Sequence, residues 1–332
     1  MKKKIAKRAT AGACALTLCA AMALTLGAGG YSPVYAQGGA LDRPEGGNYF
    51  LSDYGARAEL DTAADALSRE IMDESVVLLK NDDNFLPIRE GTPKVSIFGK
   101  NSTTQWGVCS ASEFRENNMF EVNNALVQFY NDNSRSGDGI PSENSGTGSI
   151  FSGMPTGETP VEMYTNDTGN VTSSFEEYSD LAIVYFYRTV GEGRDAPRTS
   201  LWDGESYLFN QNSTQKLPNA TSADDHYMEL DKNEKDLLAY VCGQECFEDV
   251  IVVITSGSQI ETDFLEDPAY NGKIKAAMWA GSNIGGYSAV PKVIKGQLNP
   301  SGRTVDTWSR DFTKDPTWQN FGTQLTYNGN QY

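Results

Sequence analysis

The chain has 332 residues, 39% of them hydrophobic, with 27 lysines and arginines against 44 aspartates and glutamates and a net charge of −17. So acidic a surface repels nucleic acid and anionic membranes, and this length suits one large domain or two small ones. The single histidine, His226, stands far in sequence from the five cysteines, so no metal site is expected, and the composition suggests no organic cofactor.

The N-terminus is built for export. Met1–Arg8 carries five cations, Ala11–Ala28 is uncharged, Gly27, Gly29, Gly30 and Pro33 break the run, and Val34-Tyr35-Ala36 offers a cleavage site. Residues 1–36 are therefore expected to be a signal peptide, and the protein to be secreted. The Ala-rich run only reaches the lower limit of a bilayer span, which disfavours an anchor, and no later segment is long and apolar enough to cross a membrane. Cys19 follows Leu16-Thr-Leu, a poor lipidation motif. Taking the five cations from 27 leaves 22 basic against 44 acidic residues, a net charge of −22. Cys109, Cys242 and Cys246 would remain. Cys242 and Cys246 either pair, which needs a helix end between them, or stay as buried thiols.

Residues 37–56 are Gly-rich and polar and read as an extended leader. Leu60, Ala63, Ala64, Leu67, Ile71 and Leu78 recur at helical spacing, which predicts an amphipathic helix over Arg57–Asn81. Asn81-Asp-Asp-Asn is a turn, and Lys94–Phe98 a short strand that enters a loop at Gly99. A helix is predicted near Phe120–Tyr130, followed by a Ser/Gly/Asn-rich surface loop over about 131–157. Asp180–Phe186 reads as a buried strand. Asp231-Lys-Asn-Glu234 is a capping box opening a helix to about Val241, with Leu237, Leu238 and Val241 on one side. Asp249–Ile254 and Ala276–Ala280 are further strands, and a helix is expected near Ser288–Lys295.

Strands alternate with helices, and the strongest strands are continuous apolar runs. Both features predict an α/β protein: a three-layer sandwich, its sheet mostly parallel with helices on both faces. In such sheets sites form beyond the carboxyl ends of the strands, which singles out the loops after Phe98, Phe186 and Ala280. The second contains Gly191-Glu192-Gly193-Arg194-Asp195. A carboxylate between two glycines can project into a cleft and exchange protons, or can simply sit solvated in a turn. The third, Gly281-Ser-Asn-Ile-Gly285-Gly286, lacks the spacing and the downstream acid of a dinucleotide fingerprint, so close packing of the turn is the better reading. A Ser-His-Asp triad would have to use His226, and there is no G-x-S-x-G elbow; His226 is expected on a surface loop.

Five segments together resemble the C-terminal α/β-sandwich domain of glycoside hydrolase family 3, the β-glucosidase-like family. They are Glu74-Ser-Val-Val-Leu-Leu-Lys-Asn-Asp82 with Leu86-Pro87, Lys94-Val-Ser-Ile-Phe-Gly99, Gly191-Glu-Gly-Arg-Asp195, Trp279-Ala-Gly281 with Gly285-Gly286, and Asn299-Pro-Ser-Gly-Arg303 with Thr307-Trp308. They occur in the family's order. The resemblance implies a domain over 57–312, a tail over 313–332, and a retaining hydrolase acting on an oligosaccharide or glycoside substrate. It also implies that Glu192 is the general acid/base, with Gly191 and Gly193 shaping its turn and Arg194, Asp195 and Arg198 ordering the loop. The family's nucleophile lies on a separate (β/α)8 barrel of about 250 residues, and no such barrel is expected in this chain. The arrangement resembles members in which the sandwich comes first, cut short before the barrel. The chain would thus be half of a split or longer enzyme, inactive alone, or else a non-catalytic carbohydrate-binding or partner domain, or a fragment.

Overall fold

The computed structural model describes residues 54–102, 111–137, 139, 156–188, 201–202, 206–207, 225–281, 289–318, 326–327 and 330–331. The expected signal peptide and most of the leader, Cys109, and residues 140–155 of the surface loop lie outside them. The chain divides into two compact units, Met1–Ala64 and Asp65–Tyr332. In the first, the described residues are 54–64, where Glu59 accepts a hydrogen bond from the Gly55 amide and Arg57 pairs with Asp61. They include the start of helix α1 (Arg57–Ser75), which runs on into the second unit.

The second unit is organised around one mixed sheet of six strands: β1 (Val77–Asn81), β2 (Lys94–Phe98), β3 (Glu121–Val122), β4 (Leu181–Arg188), β7 (Val250–Ser256) and β8 (Ile274–Trp279). Two short pairs, β5 (Leu201–Trp202) with β6 (Ser206–Tyr207) and β9 (Thr326–Tyr327) with β10 (Asn330–Gln331), stand apart from it. The order is β1-β8-β7-β4-β2-β3. All neighbours pair in parallel except β1 and β8, which are antiparallel. Helices α2 (Ala111–Arg115), α3 (Asn124–Asn131), α4 (Asn133–Ser136), α5 (Val161–Thr165), α6 (Lys232–Gly243) and α7 (Ala289–Ile294) complete the α-helices of the described residues, which also hold short 3-10 turns.

The predicted three-layer sandwich is what forms. Successive strand residues face opposite sides, and each side meets its own apolar layer. Ile183, Tyr185 and Tyr187 of β4 join Ile251, Val253, Phe114 of α2 and Val290 and Val293 of α7. Ala182, Val184 and Phe186 join Val252, Ile254, Phe129 of α3, Tyr164 of α5 and Leu237, Leu238 and Val241 of α6. Every residue of β4 and of β7 is buried, which explains their continuous apolar runs. The predicted strands and the helix after Gly281 appear in place, β4 running two residues past Phe186.

The predicted helix over Arg57–Asn81 is corrected. It stops at Ser75, and Val77–Asn81 forms the antiparallel edge strand β1, with Val77 opposite Trp279 and Asn81 opposite Ala276. Leu78 continues the helical periodicity, but the unbroken apolar run Val76–Leu79 favours a strand once an open sheet edge is available. Phe120–Tyr130 is likewise divided, the helix starting only at Asn124 with Asn123 as its cap. The expected surface loop carries α4 at its start. Cys242 and Cys246 are free thiols; burial, the largest influence on both, pushes the Cys242 thiol up to about 11.

Candidate active site

The parallel strands run in chain order β2, β3, β4, β7, β8, yet lie in the order β3-β2-β4-β7-β8. The chain therefore first builds outward from β2 to β3, then reverses and builds from β4 the other way. The reversal opens a crevice between the carboxyl ends of β2 and β4, where open α/β sheets place their ligands. Two of the three loops singled out from sequence, those after Phe98 and Phe186, leave from its two walls.

On the β2 wall the chain turns at Gly99, whose φ is +109° and where a Cβ would stand 2.5 Å from the Tyr185 carbonyl oxygen. Only glycine fits so close an approach in that conformation. The Gly99 amide donates to the Tyr130 hydroxyl at 2.8 Å. Lys100 follows, 1% exposed, with Nζ donating to the Tyr130 carbonyl at 2.6 Å, Asn133 Oδ1 at 3.1 Å and Ser136 Oγ at 2.7 Å. Its backbone N–H donates to both carboxylate oxygens of Glu158, at 3.0 and 3.2 Å, and the Thr159 N–H adds a third bond at 2.8 Å. Glu158 is buried, and burial pushes its carboxyl up to about 8 against the pull of those two amides.

On the β4 wall the last strand residue is Arg188, also 1% exposed. Its guanidinium makes a bidentate pair with Glu234 at 2.6 and 2.7 Å and donates to the carbonyls of Tyr227 at 2.8 Å, Tyr187 at 2.9 Å and Glu229 at 2.6 Å. Burial is the largest influence on both partners and opposes both charges. Two short bonds to a guanidinium that keeps its proton hold the pair ionised. Glu234 is at the same time the N3 residue of the predicted capping box, its Oε2 accepting from the Asp231 amide and its own amide donating to Asp231 Oδ1, both at 2.9 Å. Asn233 Nδ2 donates to the Glu158 carbonyl at 3.1 Å, and Thr156 bonds to Asp231. One polar network thus ties the start of α6 to both walls of the crevice.

His226 is not on the surface, as expected from its polar neighbours, but buried. Its Nε2 lies 3.2 Å from Glu261 Oε1, which also accepts from the Phe312 amide at 2.7 Å, and its ring packs on Trp318 at 4.8 Å. It fastens the segment before α6 to the segment after Trp308.

Gly191, Glu192, Gly193, Arg194, Asp195 and Arg198 lie outside the described residues, as do Gly285 and Gly286. What the structure fixes is the root of their loop: residue 189 follows directly on Arg188, and Glu192 stands four positions beyond it in sequence. Lys100, Glu158 and the Arg188–Glu234 pair were not singled out from sequence. The signal for Arg188 was a cation closing an all-apolar run; for Glu158, beside the Ser/Gly-rich loop, there was none. Among the described residues no group of three or more His, Cys, Asp or Glu side chains is arranged to hold a metal ion.

The fold defines a sandwich domain of the doubly covered α/β class, with the candidate site at its carboxyl edge. Residues 76–331 match the pattern described as the glycosyl hydrolase family 3 C-terminal domain, and the chain belongs to that family. It is 28% identical over 280 residues to Beta-glucosidase A of Butyrivibrio fibrisolvens, an alignment covering 82% of this chain and 32% of that enzyme. A β-glucosidase from Paenibacillus barengoltzii superposes with a TM-score of 0.52 at 23% identity, over 77% of this chain and 25% of that one. β-Glucosidase 3B from Thermotoga neapolitana does so at 0.50 and 19%, over 81% and 33%. The chain spans a third or less of the length of these relatives.

Proposed function

We propose that this chain supplies the acid/base half of a secreted, retaining β-glucosidase-like hydrolase. Membership of the family, together with a loop that begins at the Arg188 anchor on the switch-point crevice and carries Glu192, supports this reading. In the first step the Glu192 carboxyl protonates the glycosidic oxygen while a carboxylate from another part of the enzyme attacks the anomeric carbon. The C–O bond breaks, the alcohol leaves, and a covalent glycosyl-enzyme remains. In the second step Glu192, now a carboxylate, takes a proton from water as the water oxygen attacks the same carbon and releases the nucleophile. The two carboxyl groups of a retaining pair lie about 5–5.5 Å apart, so the companion must bring its nucleophile onto this crevice. Gly191 and Gly193 shape the turn, and Arg194, Asp195 and Arg198 order it. The N-terminal 36 residues direct the chain out of the cell, where glycosides are met.

The test is hydrolysis of an aryl β-glucoside. The chain alone is expected to show none. Mixed with the separately produced part of Beta-glucosidase A that it does not match, it is expected to restore turnover. Glu192→Gln should then lower kcat by roughly 10²–10⁴-fold. Turnover indifferent to Glu192→Gln would reject the assignment.

A further inference from the structure

The segment between β7 and β8 ends in Tyr270-Asn271-Gly272-Lys273. A 3-10 turn over Pro268–Tyr270 leads into it, and β8 begins just after it at Ile274. Asn271 and Gly272 both stand in the left-handed region, at φ +55° and +66°, and the Lys273 amide donates to the Tyr270 carbonyl at 3.0 Å. Two successive positive φ values make this the turn for which Asn-Gly is the favoured pair. The turn explains the two residues but leaves their polar groups unused. Both residues are exposed, and neither the Asn271 carboxamide nor the Gly272 N–H has a hydrogen-bond partner among the described residues. A Cβ added at Gly272 would meet nothing within 4 Å, so the backbone nitrogen beside it is uncrowded.

An unbonded carboxamide next to an unbonded, uncrowded backbone nitrogen is a reactive pair. We propose that Asn271 is a modification site whose reagent is water: it is converted without an enzyme, through a five-membered succinimide, to aspartate and isoaspartate. The Gly272 nitrogen attacks Asn271 Cγ. The N–Cγ bond forms, the Cγ–Nδ2 bond breaks, and Nδ2 leaves as ammonia with the proton given up by the Gly272 amide. Water then opens the ring at Cγ, which gives aspartate, or at the main-chain carbonyl carbon, which gives isoaspartate. In sum one water enters, one ammonia leaves, and a carboxamide becomes a carboxylic acid. At ψ 23° the Gly272 nitrogen points away from the Asn271 side chain, so the peptide between them must swing before attack. That swing breaks the bond between Lys273 and Tyr270. One exposed hydrogen bond of this kind favours the closed turn by roughly 10-fold, so folding slows the reaction without stopping it. The isoaspartyl product adds a methylene to the main chain between Tyr270, which is buried, and Lys273. The Lys273 carbonyl accepts from the Val250 amide at 2.8 Å, and its Nζ donates to the Gln244 carbonyl at 2.8 Å. The change therefore falls at the amino end of β7 and β8, away from the crevice, and it does not depend on the proposed activity.

The folded full chain is incubated at pH 6 and at pH 8, then digested. Its peptides are read by mass spectrometry and by methyl transfer from an added isoaspartate methyltransferase. The chain's other Asn-Gly pair, Asn328-Gly329, falls in a separate peptide. Conversion at Asn271 is expected, faster at pH 8, where more of the Gly272 amide is deprotonated, and at a rate within about 10-fold of that of a synthetic peptide spanning residues 267–275. Asn271→Gly, which a positive φ accepts, should abolish the methyl label on this peptide and leave the circular dichroism of the chain unchanged. Should that variant fail to fold, Asn271→Asp, which keeps the shape of the side chain, is to show no ammonia-releasing mass change on the same peptide. An unconverted Asn271 in the folded chain, or conversion slower than that range, overturns the proposal. So does a rate that is no higher at pH 8 than at pH 6, or a label on this peptide that survives in Asn271→Gly.

Discussion

At the scale of single residues, the crevice is carried by ionisable groups that water does not reach. Removing one partner of a buried ion pair leaves an uncompensated charge, so Arg188→Met is expected to destabilise the domain by about 3–5 kcal/mol, measured by urea unfolding. Adding Glu234→Gln to it should recover part of the loss. A simple sum of the two single effects would show that the pair is not coupled. Glu158 gives a pH dependence of unusual sign. Its folded value near 8 lies above the ordinary 4.5, so the native state binds its proton more tightly than the unfolded chain. The stability this contributes is fully present below about pH 4.5 and declines as the pH rises through about 8. Glu158→Gln should flatten the fall in Tm between pH 6 and 9, and a variant that loses stability as steeply as the parent would assign that fall to other groups.

At the scale of elements, α6 and β1 behave differently toward prediction. The capping box of α6 is a local device: two side chains and two amides within four residues, legible because nothing distant is required. Asp231→Ala should cost about 1 kcal/mol, and more if the Thr156 contact also matters, as thermal unfolding would show. The boundary between α1 and β1 is not local. Leu78 lies in phase with Leu60, Ala64, Leu67 and Ile71, and no glycine or proline interrupts the run. The chain leaves the helix because β8 offers an edge and because Gly302 fills the space beside Ser75. Gly302→Val should therefore disturb the α1–β1 junction, read as faster amide exchange across Val76–Asn81.

At the scale of the whole molecule, the acidic balance and the family's architecture meet. A domain with twice as many acidic as basic residues after its expected leader has little tendency to self-associate. Under the proposed function, the chain alone is expected to show no turnover of an aryl β-glucoside, and the rest of such an enzyme to restore it.

Much of this was written in the sequence. Runs such as Leu181–Phe186 and Val250–Ile254 are apolar throughout because helices cover both faces, so their composition alone announces a buried parallel sheet and, with it, a site at the strand ends. The Gly-Glu-Gly segment and its neighbours in order named the family. Tertiary structure alone decided the rest. It turned Val77–Asn81 from helix to edge strand, buried His226 against Glu261, and gathered Lys100, Glu158, Arg188 and Glu234, residues up to 134 positions apart in the numbering, into one network. Periodicity reports which face of an element is dry. Where a charge finds its partner depends on the order of strands in the sheet, and that order is set by packing between segments that do not adjoin in the chain.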